Sequence, residues 1–263
     1  IMEHKKPYQL LTSFPLKLNN FYKKKLHSKI KVRNKSKIAK NFDPVTNYDK
    51  NFEIFIRSAI AKKFPKHSIV GEEFKAKKTF NDYEWAIDPI DGTRAFYFGI
   101  PTWSNLIGLS YKNKPIFGLA NFPELKKYYV NDKKKSYVFS GSKKIILKST
   151  RNKDLKKIKV ISRFNQKFSP KKQDKFLKKI NISNNSFVGF DALNYCLLAE
   201  GMLDVVIEVG LKPFDILPLI PIINNAGAIV TNWKNGSAKY GGNILATSNK
   251  ELHSKMLKIL NKF

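Results

Sequence analysis

The sequence predicts a mixed α/β protein, α+β in its first half, built as two half-domains over residues 1–139 and 140–263. Three observations predict it. Apolar residues near the N-terminus recur at helical spacing and give way to short β-like runs joined by a turn. Beyond the pattern change at Phe139 to Lys144, helix and strand signatures alternate. The chain has 263 residues, 42% hydrophobic and 13% aromatic, enough to bury a sizeable core without disorder of the whole.

Each element has its own warrant. From Leu10 to Ile30 the apolar spacing is loosely helical, and Pro15 is expected to kink or restart that helix. Over Asn51 to Phe64, Phe52, Phe55, Ile56, Ala59 and Ile60 recur at intervals of three and four, and Pro65 stops the run. Tyr83 to Ile87, Asn105 to Ser110 and Pro115 to Ala120 read as strands of an antiparallel sheet, with a hairpin turn over Lys112 to Pro115. In the second half, Ile158 to Ser162 reads as a strand and Ala192 to Glu200 as a helix closed by Gly201. Asp204 to Val209 is a strand closed by Gly210, and Phe214 to Ala226 a helix. Ala228 to Thr231 and Asn243 to Thr247 are strands, and Lys250 to Leu260 is the last helix.

Composition removes several function classes. The apolar stretch Ile216 to Ile223 is far short of the roughly 20 residues of a membrane span, and no secretory leader pattern opens the chain, so a cytoplasmic protein with no membrane partner is expected. Cys196 is the only cysteine and sits in an apolar stretch, so it reads as a buried thiol. His4, His27, His67 and His253 have no zinc-site spacing. The net charge of +30 suggests an anionic partner, but only five of the 50 basic residues are arginine, the residue on which base and phosphate recognition leans. Lysine runs such as Lys133 to Lys135 and Lys171 to Lys172, beside plentiful Asn, Ile, Phe and Tyr, fit A- and T-rich codon usage instead. No nucleic-acid partner is expected.

Against that background the 20 acidic residues are informative where they cluster. G-E-E at Gly71 to Glu73, D-P-I-D-G-T at Asp88 to Thr93 and K-P-F-D ending at Asp215 each close an apolar run. Pro89 forbids a regular ladder partner at its nitrogen, and Gly92 supplies freedom for a reversal into a helix near Thr93. Asp88 and Asp91 can then share one pocket with the Ile90 carbonyl between them. Carboxylates and a carbonyl without thiolate or imidazole suit Mg²⁺, whereas the spacing fails an EF-hand calcium loop. Asp before Gly is also a common turn and helix cap, so D-x-x-D-G alone leaves both readings open.

The whole set narrows them. G-E-E before W-A-I-D-P-I-D-G-T, preceded by F-D-P-V-T-N-Y-D and followed by G-F-D-A-L-N-Y and L-K-P-F-D, resembles the inositol monophosphatase family of metal-dependent phosphatases from about Asp43 to Ala246. The resemblance implies a layered α-β-α-β-α sandwich of two half-domains, paired as a homodimer. It implies two or three Mg²⁺ ions held by Glu72, Asp88, the Ile90 carbonyl, Asp91 and Asp215, with Asp88 bridging two of them. Thr93 and Asp49, together with Glu72, would prepare the attacking water, and the Gly92 and Thr93 amides would face the phosphate. Glu73 is expected at the surface or behind the site, since neighbours on a strand face opposite ways.

The C-terminal motifs look most like the histidinol-phosphate phosphatase branch of histidine biosynthesis, although Phe190 and Phe214 depart from its G-G-D and L-K-P-Y-D. L-Histidinol phosphate is thus the expected small-molecule phosphate ester. Asp191 and Glu208 are the candidate carboxylates for its ammonium and imidazole, Asp191 being equally placed to cap the helix after it. An inositol-1-phosphate, sugar or nucleotide phosphatase of the same family is the alternative. A basic nucleic-acid-binding protein without chemistry is the non-enzymatic one, and the filled acidic positions argue against it.

Overall fold

Leu10, Leu11, Phe14 and Leu18 share one side of the N-terminal segment. In the computed structural model, which describes residues 4–25, 30–35, 44–163, 186–187 and 189–261, they lie buried on helix α1 (Lys5–Lys25). Pro15 does not restart the helix; it sits inside α1, which is continuous across it, and is buried. The turn before it is tied by hydroxyls, Thr12 donating to the Tyr8 carbonyl at 3.0 Å and Ser13 to that of Leu10 at 2.7 Å. The expected continuation through 26–29, with His27, and the pair Lys171 and Lys172 lie outside the described residues.

Helix α2 (Asn47–Lys63) begins at Asn47 rather than Asn51, because a capping box starts it: the Thr46 hydroxyl accepts from the Tyr48 and Asp49 amides while the Asp49 carboxylate takes the Thr46 amide. The short strands β1 (Val32–Asn34) and β2 (Pro44–Thr46) pair just ahead of it. The first large sheet has seven strands in sequence order: β3 (Ser68–Gly71), β4 (Tyr83–Asp91), β5 (Ser104–Tyr111), β6 (Lys114–Phe122), β7 (Lys127–Asn131), β8 (Ser136–Ser140) and β9 (Lys143–Ile146). Only β3 and β4 pair in parallel. The expected hairpin is made by Lys112 and Asn113 at φ 47° and 61°, joining Tyr111 to Lys114. Strands β7 to β9 were not foreseen because lysines interrupt their short apolar alternation, and the pattern change at Phe139 to Lys144 falls on the last hairpin of this sheet.

The second sheet runs β11 (Ser186–Phe187), β10 (Val160–Arg163), β12 (Val205–Leu211), β14 (Gly242–Thr247), β13 (Ile229–Asn232). Its helices are α4 (Leu193–Ala199), α5 (Pro213–Ile216), α6 (Ile220–Asn225) and α7 (Lys250–Leu260), while α3 (Thr93–Tyr97) follows β4. The single helix expected over Phe214 to Ala226 is two, α5 and α6, since Pro218 and Pro221 each remove a donor from a continuous ladder.

Side-chain alternation sorts these elements into layers. Trp85, Ile87, Ile107, Leu109 and Leu119 face α1 and α2. Leu106, Ala120 and Phe122 of the first sheet and Val206, Ile244 and Ala246 of the second enclose α4 and α6. Val205, Ile207 and Leu245 pack on α7. The result is the α-β-α-β-α sandwich, with α4 to α6 as the central layer.

Candidate active site

The site gathers where the first sheet meets that central layer. Strand β4 runs on to Asp91 rather than ending at Ile87, but its pairing with β5 shifts register between Asp88 and Asp91, the bulge that Pro89 imposes. The Asn105 side-chain amide satisfies the Pro89 carbonyl at 2.7 Å. Asp88 Oδ1 accepts the Ile90 amide at 3.1 Å, and Gly92, at φ 80°, turns the chain into α3. A Cβ at Gly92 would stand 2.7 Å from Asp191 Oδ2, so this turn requires glycine both for its backbone and for the approach of Asp191.

Five acidic positions named from the sequence surround this turn. Asp49 is fully buried on α2, and its Oδ2 accepts the Thr46 amide at 2.7 Å and hydroxyl at 2.6 Å. Its Oδ1 faces Thr93, whose hydroxyl can donate to it at 3.3 Å or to the Ile90 carbonyl at 3.1 Å. Asp215 caps α5, taking the Lys212 amide at 2.7 Å. Asp91 Oδ2 accepts the Ala192 amide at 2.7 Å, so a carboxylate of the first sheet holds the start of α4. Glu72 follows β3, its amide bonded to the Ile87 carbonyl at 3.2 Å.

Burial and mutual repulsion mark the cluster. Burial first, then the charges of Glu72, Asp91 and Asp215, push Asp88 well above the usual carboxylate range. Burial and Asp215 raise Asp91; burial, opposed by the Lys212 amide, raises Asp215. Asp49 is lifted to about 6 by burial, against its Thr46 hydrogen bonds. Negative charge is thus held together at a loss that a cation would relieve, and the donors are all hard oxygens, which fits Mg²⁺. As they stand, no three His, Cys, Asp or Glu side chains among the described residues converge on one point. Lys35 explains part of this: its ammonium bonds Glu72 Oε1 at 2.9 Å and also reaches Glu73.

Several expectations change here. Of the two places expected for Glu73, the surface is excluded and the one behind the site remains: its side chain is 3% exposed and shares Lys35 with Glu72, the two not being separated because both lie past the end of β3, where strand alternation no longer holds. Its amide donates to Glu53 Oε2 at 2.7 Å, and Glu53 Oε1 takes Arg57 Nε at 2.7 Å. Gly71 is needed because a Cβ there would strike Glu53 Oε1 at 2.1 Å. Asp191 is not a helix cap; α4 has no side-chain cap, and Asp191 instead pairs with Arg163 beside Gly92. Arg163 also stands 3.9 Å from Glu208, whose pKa burial raises to about 7 against that guanidinium. Glu208 Oε2 and the Tyr195 hydroxyl are both buried and face each other, and that hydroxyl, with Arg163, favours the charged carboxylate against burial.

Lys35, Glu53 and Arg163 were missed from the sequence. Lys35 is one lysine among many. Glu53 and Arg57 carried the helix i, i+4 signal, and Arg163 was one of five arginines.

Comparisons with known proteins bear on the family and the fold. The family model described as the inositol monophosphatase family matches residues 12–262. The bifunctional phosphatase IMPL2, chloroplastic, of Arabidopsis thaliana is 32% identical over 84% of this chain, which spans 66% of that protein's length. Histidinol-phosphatase of Mycobacterium tuberculosis is 28% identical over 83% of this chain and 85% of its own. Inositol monophosphatase 1 of Bos taurus is 30% identical over 82% and 81%. Among solved structures, the extragenic suppressor protein suhB from Bartonella henselae superposes with TM-score 0.84 at 20% identity, covering 98% of this chain and 99% of that one. An IMPase/NADP phosphatase complexed with Mg²⁺ and phosphate gives 0.81 at 21% identity, over 98% and 96%.

Proposed function

The chain belongs to the inositol monophosphatase family, and from that premise we propose that it is a Mg²⁺-dependent phosphomonoesterase whose substrate is L-histidinol phosphate. The observation that carries the phosphatase reading is the gathering of Asp49, Glu72, Asp88, Asp91 and Asp215 about the Asp88–Thr93 turn. Glu72, Asp88, the Ile90 carbonyl, Asp91 and Asp215 would hold Mg²⁺, two or three ions, which when bound supplies an acidified water and positive charge for the ester phosphate.

The chain's own residues handle the proton. With its hydrogen donated to Asp49 Oδ1, the Thr93 oxygen is left to accept a proton from water, and Asp49, lifted to about 6, can take the Thr93 proton near neutrality. Thr46 pins the other Asp49 oxygen, so the accepting one keeps its aim. The Gly92 and Thr93 amides open α3 and favour phosphate charge there.

The substrate reading rests on Asp191 and Glu208. Both face one guanidinium, Arg163, which Asp191 pairs with directly, and Glu208, held near 7, supplies a carboxyl that the ammonium of an amino-alcohol phosphate would favour in its charged form. Arg163 itself favours a second reading, since it is 43% exposed at the rim and could meet a second phosphate. A phosphate-release panel with Mg²⁺ decides between them: histidinol phosphate should be preferred over inositol 1-phosphate, fructose 1,6-bisphosphate and adenosine 3′,5′-bisphosphate. Preference for any of the other three refutes the substrate. A homodimer completes the reading, supported by exposed Tyr97, Phe98 and Ile100 beside α3; light scattering on the purified protein tests it.

A further inference from the structure

A groove of about 830 Å³ runs along α7, lined by residues between Lys148 and Lys153, by Gly227 and Ile229, and by one side of that helix from Lys250 to Lys258. Its size falls within the range of small-ligand sites, about 300–1,000 Å³. None of the acidic residues of the candidate active site lines it. The second sheet separates the two: Val205, Ile207 and Leu245 face α7, whereas Val206 and Ala246 face the central layer, with Glu208 in step with Val206.

The groove gathers basic residues: six of its fifteen lining residues are Lys or Arg. Glu251, the one carboxylate, is already shared by Lys153 at 2.5 Å and Lys255 at 3.0 Å. That leaves Lys148, Arg151, Lys250 and Lys258 with no ion-pair partner among the described residues, all exposed around one concavity. Cations lining one concavity add up to a local positive potential, which a multiply charged anion would offset. The lining contains no aromatic side chain on which a base could stack. What the groove can recognise is therefore a run of phosphates rather than a nucleobase.

We propose that this groove is a second binding site, separate from the acidic centre, for a compact oligophosphate chain. Lys148, Arg151, Lys250 and Lys258 supply the charge-assisted hydrogen bonds, and Lys153 and Lys255 stay on Glu251. The probe is inorganic tripolyphosphate, titrated calorimetrically into the full chain in Mg²⁺-free, low-salt buffer, because the ester site lacks its cations there.

Binding is expected at one site per chain, weakening at high salt. It should fall about tenfold or more in the triple variant R151Q/K250Q/K258Q, while far-UV circular dichroism, melting temperature and phosphomonoesterase activity stay unchanged. Two controls locate it: Asp88→Asn should bind as the wild type does, and K62Q/K63Q/K134Q, which loses the same charge elsewhere, should also be unaffected. Absence of binding, equal weakening by the control triple, or loss in Asp88→Asn would overturn the proposal. So would retention of a DNA duplex in preference to tripolyphosphate, since that identifies an extended polyanion surface instead.

Discussion

Removing Glu53 should cost the protein both stability and Mg²⁺ affinity, although Glu53 is not proposed to touch a metal. Its carboxylate is fully buried and has two partners, Arg57 Nε and the Glu73 amide, each at 2.7 Å. Glu53→Ala leaves Arg57, whose side chain is only 17% exposed, with the Phe74 carbonyl at 3.2 Å and the Phe74 ring, and orphans the Glu73 amide. Breaking a buried pair by removing one partner costs about 3–5 kcal/mol. For a chain of this size that lowers the melting temperature by on the order of 10 °C. Glu53→Gln keeps an acceptor for one partner and should lose about half as much. The functional consequence follows from position: Glu53 packs under Gly71 and holds the segment that carries Glu72. The Mg²⁺ concentration for half-maximal phosphate release should rise severalfold in both variants, with turnover at saturating Mg²⁺ largely retained. Differential scanning fluorimetry and a Mg²⁺ titration of activity make the two measurements. An unchanged Mg²⁺ requirement in a destabilised Glu53→Ala protein would refute the linkage.

Three further outcomes are expected. Asp88→Asn or Asp215→Asn should abolish Mg²⁺-dependent turnover, yet in EDTA at pH 7 each should melt higher than the wild type. Carboxyls whose folded pKa is raised contribute stability below their unfolded pKa and lose it as pH rises, so a lower melting temperature would contradict the repulsion described. His253 and His67 are buried and lowered to about 4, chiefly by desolvation. Their contribution is present above 6.5 and lost as pH falls toward 4, up to about 3 kcal/mol each. His253→Gln, which keeps a polar partner for Thr231 and Thr247, should flatten that acid decline in a pH series of melting curves. Asp191→Ala should raise KM for histidinol phosphate by roughly one to two decades, the worth of one charge-assisted hydrogen bond of about 1.5–3 kcal/mol. A phosphate ester without an amine should barely respond, and an equal loss for both esters would place Asp191 in a structural role.

The sequence by itself determined the fold class and the acidic positions, for physical reasons that are local. D-P-I-D-G-T encodes its own bulge and turn, because Pro89 lacks a donor and only glycine takes the backbone of position 92 without strain. The last helix, Lys250–Leu260, was legible to the residue from its apolar spacing. Where local rules failed, the missing information was tertiary. Pro15 stays helical inside a buried face, and the Lys35 ammonium holds Glu72 and Glu73 together although strand alternation would separate them. Only the assembled layers decided that Asp91 of the first sheet would hold the start of α4, and that Arg163 would claim Asp191 against Gly92. These contacts join residues far apart in the chain, and their energies depend on burial and charge that no short stretch of sequence contains.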